Sequence, residues 1–253
     1  MLNARTHLFG LALLSLLSLG VWAAPLDLED PELTAGYFQG DMDIEFTRNG
    51  EIASTRHWPN ATVPYKIDEE FTEPYVAYIE LGMRLIERVS CVRFVPATAQ
   101  TLDYVFVTVS SSGCSSKVGY RGGEQTVKLK PAALDTGCFK LGTIQHELLH
   151  TLGFHHQQCA ADRDEFVHIL EENIQEGKEG NFLKYEVDRV SDFDVAYDYG
   201  SILHYSSKAF SVNGQPTIVA LKPEGQLQMG QRLALSEADI KRLNTMYKCP
   251  LPL

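Results

Sequence analysis

Residues 146–156 read His-Glu-Leu-Leu-His-Thr-Leu-Gly-Phe-His-His, and no other stretch restricts the chain so strongly. On a helix predicted from about Leu141 to Leu152, the ~100° step per residue puts His146 and His150 side by side. Leu141, Leu148 and Leu152 fall on the opposite side. Both imidazoles can then point at one ion, and zinc suits neutral imidazole nitrogens. Glu147, next in sequence and rotated away from that pair, can reach a metal-bound water as general base. The alternative is an ordinary helix with polar side chains on a wet face. The continuation argues against it, because Gly153 can adopt the left-handed conformation that ends a helix and turns the chain back, letting His156 supply a third ligand. His155 is out of register for that role.

The rest of the chain reads as mixed α and β. Val63 to Ile67 alternates as a strand, and Val76, Ile79, Met83, Ile86 and Val89 recur at helical spacing. Val92 to Val95, Tyr104 to Val109 and Thr126 to Leu129 are further short strands, separated by Ser/Gly loops such as "SSSGCSSKVGYRGG". After Gly153 the patterning weakens to short helices near Glu171 and Phe182 and irregular chain through "VSDFDVAYDYGS". A last helix begins at Ser236 as N-cap with Asp239 three residues on.

Arg5 and His7, an apolar run from Leu8 to Leu19, and Val21-Trp22-Ala23 read as a secretory signal peptide cut after Ala23. The run is shorter than the ~20 residues that span a bilayer, so no membrane anchor is expected. Export makes cysteine pairing the expectation, and five cysteines leave one unpaired. The formal charge of −11, without a Lys/Arg block, argues against a nucleic-acid partner. Residues 24–48 are acidic, with Asp27, Glu29, Asp30, Glu32, Asp41, Asp43 and Glu45 against Arg48 alone. That segment is too short and polar for its own core. Asn60-Ala61-Thr62 is a glycosylation sequon at Asn60.

His146-Glu147-x-x-His150-x-x-Gly153-x-x-His156 resembles the metzincin motif, and the surroundings narrow the resemblance to the astacin metallopeptidases. Gly153-Phe154-His155-His156, then Asp162-Arg163-Asp164, then "YDYGSILHY" (197–205) carry it, and it extends from about Asn49 to Cys249. It implies an α+β fold of metzincin type: an N-terminal twisted mixed sheet with two long helices, a mostly irregular C-terminal half ending in a helix, and one zinc in the cleft between. It further implies His146, His150 and His156 as ligands, Glu147 as base, Tyr205 as the tyrosine near the metal, and disulfides Cys91–Cys249 and Cys114–Cys138. Cys159 is left over, either an inert small residue, an intermolecular disulfide partner or an oxidation-sensitive thiol.

"FQGD", Phe38 to Asp41, resembles the family's pro-segment motif, whose aspartate takes the open zinc position. Arg48 then offers a trypsin-like cut, and the spacing from Asn49 to Trp58 agrees with a mature chain beginning at Asn49. The expected organisation is signal peptide 1–23, pro-segment 24–48 and catalytic domain 49–253. The expected protein is a secreted, monomeric zinc endopeptidase of extracellular proteins or peptides, made as a zymogen and activated by a trypsin-like protease. A substrate peptide is expected along an edge strand near "YRGGEQTVKLK". The rival expectation is an inactive secreted decoy on the same scaffold. Two departures stand out: Leu203 replaces the family's methionine, a nearly volume-conserving change, and Gln157 replaces a glutamate that binds the new N-terminal ammonium. A neutral amide cannot neutralise that charge, so the mature N-terminus is expected to dock less firmly or on another acid.

Overall fold

In the computed structural model, which describes residues 30–44, 56–186 and 190–250, the alternating segment at 63–67 lies in a strand, Thr62–Ile67 (β2). The signal peptide, Arg48, Asn49 and the docking of the mature N-terminus lie outside the described residues. A two-residue strand, Met42–Asp43 (β1), precedes β2, and the helix Glu73–Glu87 (α1) follows it with Pro74 in its first turn, where no N–H partner is needed. Arg93–Pro96 (β3), Tyr104–Val109 (β4), Cys114–Lys117 (β5) and Glu124–Leu129 (β6) complete one six-stranded sheet in the order β1-β5-β6-β4-β2-β3. Pairing is parallel except for β5 against β6. Pro64 is tolerated inside β2 because β4 pairs only from Tyr65 onward.

Two expectations need correction here. The Ser/Gly stretch is not all loop: Cys114, Ser115 and Ser116 are buried in β5, where small side chains let β1 and α2 pack close. Ser116 and Thr151 share a hydroxyl hydrogen bond of 2.9 Å across that contact. Second, the segment near "YRGGEQTVKLK" is no edge. Its strand, β6, lies between β5 and β4, and the outer neighbour of β5 is β1 itself.

The helix Leu141–Thr151 (α2) packs against α1 and β5. Every residue from Gly142 to Thr151 is buried, so the helix has no wet face at all. Gly142 is obligatory for contact, since a Cβ there would stand 2.0 Å from the Arg232 carbonyl oxygen. At the far end, carbonyls left over by the helix are taken by side chains. The Trp58 indole donates to Thr151 O (3.0 Å) and the Tyr247 hydroxyl to Leu152 O (2.9 Å).

The second half is mostly short turns, with one hairpin-like pair, Val167–Ile169 (β7) and Ile218–Ala220 (β8), and a closing helix, Glu237–Met246 (α3). Ser236 and Asp239 form the full capping box at the start of α3. Asp239 also accepts from Ser201 Oγ (2.6 Å) and Ile202 N–H (2.9 Å), so the same carboxylate fixes the turn leading to Leu203. Among the described residues no helix is long and apolar enough to cross a membrane.

Both disulfides are present: Cys91–Cys249, spanning 158 residues, and Cys114–Cys138, spanning 24. The long one ties the end of α1 to the end of α3. Replacing Cys91 and Cys249 by serine together is expected to lower unfolding stability by roughly 2–5 kcal/mol, more than the same change at Cys114 and Cys138. Denaturant titration of the oxidised proteins measures the order.

Candidate metal centre

A buried helix that carries two histidines and a glutamate must find partners for their polar atoms. It does so in a way that fixes the tautomers. His146 Nδ1 faces Ile202 O at 2.7 Å, His150 Nδ1 faces Phe154 O at 2.8 Å, and His156 Nδ1 faces Gln39 Oε1 at 3.1 Å. Each partner is a carbonyl oxygen that can only accept, so each Nδ1 carries the hydrogen and each Nε2 is left with a lone pair. Gly153, at φ 108°, turns the chain so that His156 arrives from outside the helix.

The three Nε2 atoms then stand 3.0, 3.2 and 3.4 Å apart, all completely or almost completely buried. Burial disfavours the charged form at two of them: it lowers His146 below its ordinary value and holds His156 at about 4. Three facing lone pairs repel unless a cation sits among them. Zinc–nitrogen bonds of about 2.0–2.1 Å in a tetrahedron give ligand edges of roughly 3.3–3.4 Å, so the cluster fits the ion.

Asp41 completes the group. Its Oδ2 lies 3.1 Å from His146 Nε2, and its Oδ1 lies 3.2 Å from His156 Nε2 and 3.6 Å from His150 Nε2. The four ligand atoms lie within 4.8 Å of one another. What brings Asp41 here is β1, whose Met42 and Asp43 pair with Ser116 and Lys117 of β5, together with the Ser116 N–H donating to Asp41 O at 3.0 Å.

Glu147 is completely buried, and neither carboxylate oxygen has a hydrogen-bond partner. Burial first, and then the charges of Asp41 and Glu32, push its pKa well above the carboxylate range. An orphaned buried acid of this kind is costly and marks a functional position. Tyr205, also buried, donates its hydroxyl to Gln39 O at 2.5 Å, with its ring 4.8 Å from that of His156. Leu203 is buried in the core; its carbonyl accepts from Gln157 N–H at 3.1 Å.

The remaining sequence-predicted residues lie away from the cluster. His155 packs at a tilt against Tyr185, 4.8 Å between centroids, outside the ligand group. Asn60 is exposed, as a glycan acceptor must be. Cys159 is free and completely buried, and burial pushes its thiol up to about 12, which speaks for the inert reading.

Sequence reasoning missed a second ionic contact between the acidic segment and the rest. Arg232 Nε meets Glu32 Oε1 at 2.8 Å, both side chains almost fully buried, while its Nη1 donates to His204 O and Gln231 O. Two hundred residues separate the partners, so no local pattern joins them. Gln39 and Tyr185 were also missed, although Gln39 lies inside the "FQGD" stretch.

The family model described as Astacin (Peptidase family M12A) matches residues 50–248. Seminal metalloprotease 1 of Drosophila melanogaster is 46% identical over 228 residues, which is 88% of this chain and 90% of that protein. Zinc metalloproteinase nas-4 of Caenorhabditis elegans is 34% identical over 237 residues, covering 89% and 73% respectively. Among solved structures, high choriolytic enzyme 1, a hatching enzyme zinc-protease from the medaka Oryzias latipes, superposes with a TM-score of 0.72 at 36% identity, covering 80% of this chain and all of that one.

Proposed function

This chain belongs to the astacin family of zinc metallopeptidases, and on that premise we propose that it is a secreted endopeptidase made as a latent precursor and released by cleavage after Arg48. The observation that carries this reading is the convergence of the three Nε2 lone pairs on Asp41, beside the orphaned carboxylate of Glu147. Its substrates are peptides or proteins. We assign residues 1–23 to a signal peptide, 24–48 to the pro-segment and 49–253 to the catalytic domain.

His146, His150 and His156 are the residues that hold the zinc. When bound, the ion supplies a Lewis acid that polarises a peptide carbonyl and lowers the pKa of a water. Glu147, kept basic by burial, takes the proton of the attacking water and passes it to the leaving nitrogen. The Tyr205 hydroxyl donates to the oxygen that becomes negative, where a fixed donor in a dry site acts most strongly. In the precursor Asp41 occupies the position that the water needs, and β1 lies on the edge of β5, where a substrate strand would add its main-chain hydrogen bonds. Glu32 on Arg232 gives the segment a second hold. The sequon at Asn60 suits a glycan added during export, and the mature enzyme acts as a monomer in the extracellular space.

The test is peptide cleavage by the secreted precursor before and after limited trypsin treatment, with zinc measured on the same samples. Activity is expected to appear only after the cut and to follow zinc content. Arg48→Gln is expected to abolish trypsin activation, with no new N-terminus at Asn49. Bound zinc with no turnover across a broad peptide library would favour a decoy instead.

A further inference from the structure

Asp41 is not the only residue that the acidic segment presents to the cleft. Gln39, two residues earlier, is completely buried and held at φ 47°, in the left-handed region that glutamine seldom adopts. Tyr205 donates to its main-chain oxygen. If Tyr205 serves a scissile carbonyl as proposed above, residue 39 stands where a substrate residue bordering that carbonyl would stand.

The Gln39 side chain therefore marks what the protein builds beside the reacting bond. Its Oε1 accepts from two donors that converge on it, His156 Nδ1 at 3.1 Å and the Tyr185 hydroxyl at 3.0 Å. Those two bonds use both lone pairs of the amide oxygen. The Tyr185 ring is steadied by its contact with His155, and its backbone N–H donates to Cys159 O at 2.8 Å. The amide nitrogen, Nε2, is buried and makes no hydrogen bond.

We infer that Tyr185 and His156 Nδ1 form a side-chain subsite that takes an uncharged carboxamide, such as glutamine, from the substrate residue bordering the scissile carbonyl. The subsite requires an acceptor against its two donors, which an apolar side chain cannot supply, leaving both unpaired. A carboxylate would also satisfy the donors. It would, however, add the cost of burying a charge. A carboxamide supplies the acceptor without the charge. The pocket reads a side chain and not a main-chain direction, so it serves a substrate whichever way its backbone runs above it.

This inference rests on the peptidase reading, and its test avoids turnover. A synthetic peptide of residues 35–44 is titrated by calorimetry into the zinc-loaded, trypsin-treated full chain carrying Glu147→Gln, so that the peptide is not consumed. Peptides with Gln39→Ala and Gln39→Glu are each expected to bind at least about tenfold more weakly. In protein that also carries Tyr185→Phe, the loss on Gln39→Ala is expected to shrink to about threefold, because one donor remains. A change under twofold on Gln39→Ala in the Tyr185-containing protein, or a Gln39→Glu peptide that binds as tightly as the parent, overturns the subsite. These three peptides judge it on one protein, whatever Tyr185→Phe does to folding. Tight, glutamine-dependent binding by a wild-type chain that cleaves nothing would leave the subsite standing and refute the peptidase.

Discussion

Glu147→Gln in the trypsin-activated chain is expected to lower kcat/KM for peptide hydrolysis by about 10²–10⁴-fold, the range that a positioned general base contributes. Glutamine has nearly the same shape, so the completely buried position keeps its packing and no cavity opens. What is lost is the ability to accept a proton. The three Nε2 atoms and the carbonyls that orient them are untouched by the change, so bound zinc is expected to remain at one per chain. Kinetics and metal analysis on the same sample check both halves. Residual activity above a tenth of wild type would remove Glu147 from its role, and loss of zinc would show that the carboxylate stabilises the metal centre instead.

Asp41→Ala is expected to act in the opposite direction. Made together with Arg48→Gln so that no maturation occurs, it is expected to raise the activity of the uncut chain at least about 30-fold. That ratio corresponds to roughly 2 kcal/mol, a typical worth for contacts to a buried charged group. Alanine has no atom to stand among the imidazoles, while Tyr205 still holds Gln39 O and Arg232 still holds Glu32. Full activity is therefore not expected without removal of the segment. Adding Glu32→Ala to the same chain should raise it again, and an uncut Asp41→Ala chain as silent as its parent would place the block elsewhere.

Much of the site was legible because its chemistry is local. Two histidines four apart, an intervening glutamate and a helix-ending glycine lie within eleven residues, and α2 ends one residue before the predicted Leu152. The strand Tyr104–Val109 and the cap at Ser236 were legible for the same reason: β-branched alternation and a serine three residues before an aspartate act on their own neighbours. The missed features depend on the order of strands and on distant partners. Ser115 and Ser116 look like loop residues until β1 and α2 bury them. The strand "EQTVKL" looks like a free edge until β5 returns antiparallel along it. Arg232 looks like an ordinary surface cation until Glu32 arrives from the other end of the chain.

The two rims of the large sheet are protected differently. At one, β3 ends in Pro96 and exposes Arg93, a short and charged border that discourages further strands from joining. At the other, β5 is equally short but its one charge, Lys117, is held by Asp43 at 3.1 Å, and its cover is the pair Met42–Asp43. Were the proposed cleavage to remove that cover, backbone donors and acceptors of β5 would stand open to an extended chain, including another copy's. If the proposed cleavage takes place, the uncut chain is expected to tolerate crowding better than the cut one. Light scattering of the two forms at matched concentration would display the difference as self-association confined to the cleaved protein.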